Sequence, residues 1–209
     1  MRGRTLIAAG EASGDNYGAG LVSALLRRSP GFELFGLAGP GMSGAGVEAL
    51  IPVSEVAVVG LTEVLANLPR IRRAFATLVR ALDDRRPDLV ILIDYPDFNL
   101  RLAREAKRRG IPVLYYVSPQ VWAWRPGRIR TIARRVDRMM VLFPFEEDLY
   151  RKAGVPVTWV GHPLVDGLAA IPTRHEARGR LGIGEDQPVF ALLPGSRESE
   201  VSRILPVLV

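Results

Sequence analysis

The sequence predicts an α/β fold, a parallel sheet with flanking helices, and three observations carry that prediction. Five apolar residues, Leu89 to Ile93, run without polar alternation, the pattern of a strand covered on both faces in a parallel sheet. Shorter runs of the same kind recur along the chain, separated by segments whose apolar residues repeat at helical spacing, as in successive strand-helix units. The run at Leu89 to Ile93 stops at an acid, Asp94, and continues as Tyr95-Pro96-Asp97-Phe98-Asn99. In open parallel sheets ligands bind at the carboxyl edge, where loops surround a crevice and helix N-termini point into it. Asp94 is therefore placed on the edge where chemistry is expected, and Asp97 is placed to cap the helix that follows. Closing its own turn through the backbone is the other role open to Asp94.

Composition narrows the chemistry. A chain of 209 residues with 48% hydrophobic and 24% charged residues is an ordinary globular protein, long enough for one large domain or for one domain and part of another. No apolar run approaches the roughly 20 residues of a membrane helix. Met1-Arg2-Gly3-Arg4 leads into a strand-length segment and not a signal peptide, so a cytoplasmic start is expected. Without cysteine, and with only His162 and His175 as imidazoles, neither thiol chemistry nor a nitrogen-rich metal site is expected, and catalysis must rest on carboxylates, hydroxyls and arginines. The net charge of +6 comes from arginine, which outnumbers lysine 26 to 2 and suits bidentate contacts to phosphate or carboxylate. The arginines are scattered and no aromatic residues interleave them on a strand, so nucleic acid is not an expected partner.

In chain order, Thr5 to Ala9 reads as a buried strand and Gly10-Glu11-Ala12-Ser13-Gly14-Asp15 as a turn into a helix carrying Leu21, Val22, Leu25 and Leu26 on one face, with Ser13 or Asp15 as cap. The glycine spacing is not that of a dinucleotide loop, and Glu11 would repel a phosphate there. Glu11, Ser13 and Asp15 suit a hydroxyl-rich ligand; a merely tight turn is the alternative. Phe32 to Ala38 is a second strand, Gly39 to Gly46 a turn cluster, and Ala49 to Val53 a third strand. Leu61, Val64, Leu65 and Leu68 then repeat at helical spacing, and beyond Pro69 a new helix carries Ile71, Phe75, Leu78, Val79 and Leu82. This stripe is either core or an interfacial patch, in which Val59, Leu61, Val64, Leu65 and Leu68 meet acyl chains or the bilayer while Arg70, Arg72 and Arg73 meet anionic headgroups.

A helix from Asn99 to Arg109 follows the central strand, then a strand over Pro112 to Val117, then Ser118-Pro119-Gln120-Val121-Trp122-Ala123-Trp124-Arg125 at the same edge as Asp94. Trp122 and Trp124 either stack on a sugar or pack the loop onto its own domain. Gly127 to Arg135 is a basic helix and Arg138 to Leu142 a strand; Glu146 and Glu147 favour the dipole of the next helix and read as structural. Val155 to Val160 is an edge-like strand ending near His162, which is a ligand contact or a hydrogen-bonded structural residue. Residues 169–187 are a linker holding a charged helix from Arg174 to Leu181 that closes at Gly182. A fresh strand, Val189 to Leu193, and the turn Pro194-Gly195-Ser196-Arg197 then open a second unit. There the backbone N–H groups of Gly195 and Ser196 and the fork of Arg197 suit an anion.

Five phrases in register, Ala9-Gly10-Glu11-Ala12-Ser13-Gly14-Asp15, Ile93-Asp94-Tyr95-Pro96-Asp97-Phe98-Asn99, Val117-Ser118-Pro119-Gln120-Val121-Trp122-Ala123-Trp124-Arg125, Phe143-Pro144-Phe145-Glu146 and Leu193-Pro194-Gly195-Ser196-Arg197, resemble the bacterial lipid-A-disaccharide synthase family. The resemblance implies a B-type glycosyltransferase of two Rossmann-like domains. Residues 1–168 would form the acceptor-side domain and 188–209 the beginning of the UDP-sugar donor domain, which family members complete beyond the equivalent of Val209. It implies transfer from UDP-2,3-diacylglucosamine to 2,3-diacylglucosamine 1-phosphate, giving a β-1,6 disaccharide phosphate and UDP, without metal or cofactor. The implied setting is the cytoplasmic face of the inner membrane, and a homodimer is among the assemblies it admits. Asp94 falls on the family's catalytic aspartate and Arg197 on its donor-binding arginine, with Gly195 and Ser196 beside it. Glu11, Ser13, Asp15, Trp122 and Trp124 are then the acceptor contacts. Two alternatives stay open: another UDP-sugar transferase of the same architecture, such as the peptidoglycan N-acetylglucosaminyltransferase, and an acceptor-binding fragment without turnover.

Overall fold

A computed structural model describes residues 3–57, 67–123, 126–168, 171–195 and 198–209 and divides the chain into two compact units, Met1–Asp166 and Gly167–Val209. The first holds seven parallel strands, β1 (Arg4–Ala9), β2 (Glu33–Ala38), β3 (Glu48–Pro52), β4 (Leu89–Ile93), β5 (Val113–Tyr116), β6 (Arg138–Val141) and β7 (Val157–Trp159), in the order β3-β2-β1-β4-β5-β6-β7. Its helices are α1 (Ala12–Arg28), α2 (Pro40–Gly44), α3 (Leu68–Asp84), α4 (Pro96–Arg108), α5 (Arg128–Arg135) and α6 (Pro144–Lys152). A short helix, α7 (Leu164–Gly167), leads into the second unit, which holds α8 (Arg174–Leu181) and α9 (Glu198–Leu208).

The unbroken apolar run of β4 has a direct physical cause. Val90 and Leu92 pack in one core cluster with Leu78 and Leu82 of α3 and Leu102 and Ala106 of α4. Ile91 and Ile93 pack in the other with Val22 of α1 and Met42 of α2. Each face of the strand is covered by helices, so neither set of alternating positions tolerates a polar residue. Burial of such a side chain contributes about 1.5–3 kcal/mol. The strand is held between β1, in the register Ile7 to Ile91 and Ala9 to Ile93, and β5.

Three local expectations are corrected. Asp97 does not cap α4: Tyr95 is the capping residue, in a left-handed conformation with φ +49°, and no side chain caps there. Neither Ser13 nor Asp15 caps α1, because the chain enters that helix earlier, at Glu11. At α4 the backbone turns tightly through two left-handed residues before the helix, whereas at α1 the chain enters from an extended Glu11; in both places the short polar side chain lies past the capping position. The strand expected at Val189 to Leu193 does not form, and Phe190 and Leu193 stand 91% and 87% exposed. An extended apolar segment becomes a strand only when a neighbour takes its N–H and C=O groups, and no described strand pairs with this one. The charged helix of the second unit does form. Thr173 accepts from the N–H of Glu176 while Glu176 Oε2 accepts from the N–H of Thr173 at 2.8 Å, and Gly182 ends the helix at φ +67°.

Gly36 of β2 sits where the register with β3 shifts, at φ +147°, and a Cβ there would lie 2.1 Å from the carbonyl oxygen of Ile7. Gly36→Ala is expected to destabilise the chain by at least about 1–3 kcal/mol, the scale of backbone strain alone. Urea denaturation measures this, and an unchanged midpoint would refute it.

Candidate active site

The strand order places the site. From β1 the chain moves outward through β2 and β3, then returns to the centre and moves the other way from β4 to β7. The reversal lies between β1 and β4, at the carboxyl edge where ligands bind in such sheets. The loops that leave these two strands, at Gly10 and at Asp94, meet there in close contact. A Cβ on Gly10 would lie 2.1 Å from Cδ1 of Tyr95, so only glycine admits the tyrosine ring. That ring stacks on Phe98 with centroids 5.6 Å apart, and its hydroxyl donates to the Val56 carbonyl at 3.0 Å.

Asp94 and Tyr95 are consecutive left-handed residues, at φ +46° and +49°. Three groups hold them. The Asp94 N–H donates to the Tyr116 carbonyl at 3.0 Å; the Asp94 carbonyl accepts from Tyr115 Oη at 2.6 Å and from Asn99 Nδ2 at 2.8 Å. Burial holds the Tyr115 phenol well above its ordinary pKa, so it remains a donor. Asn99 Nδ2 also reaches the carbonyls of Ile93 at 3.1 Å and Ala8 at 3.3 Å, tying the ends of β1 and β4 together. Three converging carbonyls fix this amide's orientation, since the opposite one would set oxygen against oxygen. Asn99 is fully buried, and its Oδ1 has no hydrogen-bond partner.

The half-buried Asp94 lines a pocket of about 420 Å³ with Val117, Ser118, Gln120 and Arg128 among its walls. Burial pushes the Asp94 carboxyl above the usual carboxylate range; the Tyr95 N–H opposes this and the negative charge of Glu11 adds to it. A carboxylate with raised basicity and open space before it is suited to proton abstraction. The opposite wall is also built tightly. Val117 is held at φ +66°, and Ser118 Oγ lies 2.8 Å from Tyr150 Oη. Behind it the buried Glu146 accepts from the Phe143 N–H at 3.1 Å. Burial raises the Glu146 pKa, and bonds from Phe143, Ser118 and Leu142 oppose the rise. Its reading as a structural acid agrees with this.

The remaining candidates are placed unequally. Ser13 is exposed and Glu11 half-buried on the loop across from Asp94. The buried Asp15 accepts from the N–H groups of Gly39, Gly41 and Met42 at 2.7, 2.8 and 3.1 Å, so its carboxylate anchors the first turn of α2. Trp122 is exposed and meets Phe145 edge to face at 5.5 Å. From Phe145 an aromatic run continues over the edge through Phe143 and His162 to Tyr17 and Tyr116. Leu68 lies in the first turn of α3, half-buried; Arg70, Arg72 and Arg73 are exposed, with Arg70 4.0 Å from Glu55. Gly195 sits at φ +119° with Glu200 Oε2 2.5 Å from where its Cβ would be. Val59, Leu61, Val64, Leu65, Trp124, Ser196 and Arg197 lie outside the described residues. Among the described residues, no three His, Cys, Asp or Glu side chains gather in a metal-binding group, and no helix is long and apolar enough to cross a membrane.

Sequence reasoning missed Tyr95, Asn99, Tyr115, Ser118 and Arg128. Asn99 had one usable signal, an amide among apolar residues in the first turns of a helix that follows an acid. Arg128 had none beyond the basic composition of its helix. Its Nη2 donates to Asp97 Oδ1 at 2.5 Å, bridging α5 to the start of α4.

Comparison with known proteins agrees with this fold. The solved UDP-GlcNAc 2-epimerase from Neisseria meningitidis, bound to UDP-GlcNAc, matches with a TM-score of 0.56 over 87% of this chain and 53% of that one. At 13% identity the likeness concerns the fold alone. The lipid-A-disaccharide synthase of Geobacter metallireducens is 54% identical over 205 residues, covering 98% of this chain and 53% of the relative; that of Geobacter sulfurreducens is 55% identical with the same coverage. The chain thus spans about half the length of the curated relatives it matches. The profile of the lipid-A-disaccharide synthetases matches residues 5–209, and on that evidence the chain belongs to the lipid-A-disaccharide synthetase family.

Proposed function

We propose that this chain is the acceptor side of an inverting glycosyltransferase of lipid A biosynthesis. It transfers 2,3-diacylglucosamine from UDP-2,3-diacylglucosamine to the 6-hydroxyl of 2,3-diacylglucosamine 1-phosphate. The observation that carries this reading is Asp94, held rigidly at the switch point of the sheet with a raised pKa and an open pocket before it. A sugar hydroxyl is a weak nucleophile near neutral pH, so a carboxylate must take its proton as the oxygen attacks. In one displacement the new C–O bond forms at the donor's anomeric carbon and the bond to the diphosphate breaks on the opposite face. UDP leaves with the electron pair, and Asp94 holds the proton. Gly195, Ser196 and Arg197 supply fixed donors for the charge growing on the diphosphate. Glu11 and Ser13 hold acceptor hydroxyls, Asp15 joins α1 to the first turn of α2, and Trp122 and Trp124 stack on the sugar. The leucine stripe of Leu61 to Leu68, with Val59 and the arginines at 70, 72 and 73, places the acyl chains at the cytoplasmic face of the inner membrane.

In a full-length enzyme Asp94→Asn keeps shape and hydrogen bonding but removes the base. Turnover is expected to fall about 10²- to 10⁴-fold with little change in KM, and near-normal turnover would overturn the assignment. The same substitution is expected to raise Tm of the 209-residue chain at pH 7. A carboxyl whose native pKa lies above its unfolded value of about 3.9 contributes stability below that value and loses it as pH rises through the native pKa. At neutral pH the ionised acid therefore destabilises the fold, so the gain from asparagine is present at pH 7 and absent near pH 3. Glu11→Gln removes the like charge beside Asp94, and the acid limb of the kcat/KM profile is expected to move to lower pH; an unmoved limb would separate Asp94 from the observed titration.

A further inference from the structure

We infer that the basic cleft between α4 and α5 binds the phosphomonoester of the acceptor sugar. This rests on the function proposed above and assigns the part of that site which its hydroxyl chemistry leaves open. The cleft has a volume of about 420 Å³ and is lined by Arg101 of α4 and by Arg128, Thr131 and Arg135 of α5. Pro96, Asp97 and Arg128 line both this cleft and the Asp94 pocket, so the two adjoin.

The charges in the cleft are unbalanced. Asp97 is its one carboxylate among the lining residues, and Arg128 already holds it at 2.5 Å. That bond fixes Arg128 at the junction of the two pockets, with its side chain only 18% exposed. The half-buried Arg135 donates to the Leu100 carbonyl at 2.9 Å, and no described carboxylate lies within 4.0 Å of it or of Arg101. Burial lowers the Arg135 pKa, and the positive charges of Arg104 and Arg134 lower it further. A dianion entering here would relieve repulsion among guanidinium groups, and arginine's planar fork matches the oxygens of a phosphate. Thr131 adds a hydroxyl donor.

The chemistry of the acceptor supplies the direction. Its nucleophile is the 6-hydroxyl and its phosphate is carried on C1, and these groups leave the pyranose from the two carbons that flank the ring oxygen. A sugar presenting O6 to Asp94 therefore keeps its phosphate within reach of the adjoining cleft. The other basic cavity on α5, lined by Arg130, Arg134 and Lys152, shares no residue with the Asp94 pocket.

Calorimetric titration of the 209-residue chain tests the assignment with glucosamine 1-phosphate, glucosamine, inorganic phosphate and phosphatidylglycerol vesicles as probes. Glucosamine 1-phosphate is expected to bind about tenfold tighter than glucosamine, the scale of one charge-assisted hydrogen bond, and to weaken as salt is raised. Arg101→Gln and Arg135→Gln are each expected to weaken it about tenfold; Arg101 is exposed, so its variant keeps the test valid if Arg135→Gln fails to fold. Undiminished binding in Arg101→Gln, or no saturable binding of glucosamine 1-phosphate in the millimolar range, would overturn the site. Loss of vesicle binding alone in that variant would also overturn it, assigning the arginines to lipid headgroups. The two readings fail separately: normal turnover in Asp94→Asn with arginine-dependent phosphate binding removes the proposed base and leaves the anion site. Arginine-independent binding with an inactive Asp94→Asn enzyme does the reverse.

Discussion

The lock on the Asp94 carbonyl is the interaction on which the site depends. A non-glycine residue in the left-handed region costs about 1–2 kcal/mol, and this turn holds two in succession. It persists because Tyr115, on the neighbouring strand, and Asn99, on the following helix, both donate to the same carbonyl oxygen. Asn99 reaches as far as Ala8, so one buried amide joins the ends of the two strands at the switch point. Gly10 then leaves room for the Tyr95 ring. The core that covers β4 on both faces fixes where the strand ends, and the lock fixes how the chain leaves it. The carboxylate inherits both constraints.

Acids are common at this edge, and their partners sort them. Asp15 is engaged by three backbone N–H groups and Glu146 by the turn that precedes its own helix. Asp97 is bonded to Arg128. Asp94 is the acid that combines partial burial, a like-charged neighbour and an open pocket. Desolvation and Glu11 both disfavour its charge, and only a backbone N–H favours it. Such opposition weakens the fold at neutral pH and raises the basicity of the carboxylate.

Much of the sheet was legible because burial on two faces leaves a direct trace in the sequence: an unbroken apolar run means helices above and below. The position of Asp94 was legible for the same reason, since it ends the clearest of those runs. The segment Val189 to Leu193 shows the limit of that signal. Its composition records a capacity to pair, while pairing itself requires a neighbour's backbone. Helix entries were misread at Asp97 and at Ser13 and Asp15, because both helices begin one or more residues earlier, at Tyr95 and Glu11, without a side-chain cap. The supports of Asp94 were hidden more deeply. Asn99 and Ala8 are 91 residues apart, and nothing local to either records that β1 and β4 are neighbours.

Arginine content was ambiguous as composition and becomes informative once located. At the amino edge of the sheet two arginines are matched by acids and act as clamps. Arg85 joins Glu48 at 2.5 Å and covers the Phe35 ring, and Arg109 joins Asp83 at 2.7 Å. Such pairs, largely exposed, contribute little energy individually, and each of these two guanidinium groups is engaged by a carboxylate. Between α4 and α5 the pattern changes, because the guanidinium groups there outnumber the acid beside them and two are partly withdrawn from water. Desolvated like charges are unfavourable without an anion among them. The same residue type therefore closes the structure at one edge of the sheet and leaves it electrostatically incomplete beside Asp94, where a sugar phosphate would complete it.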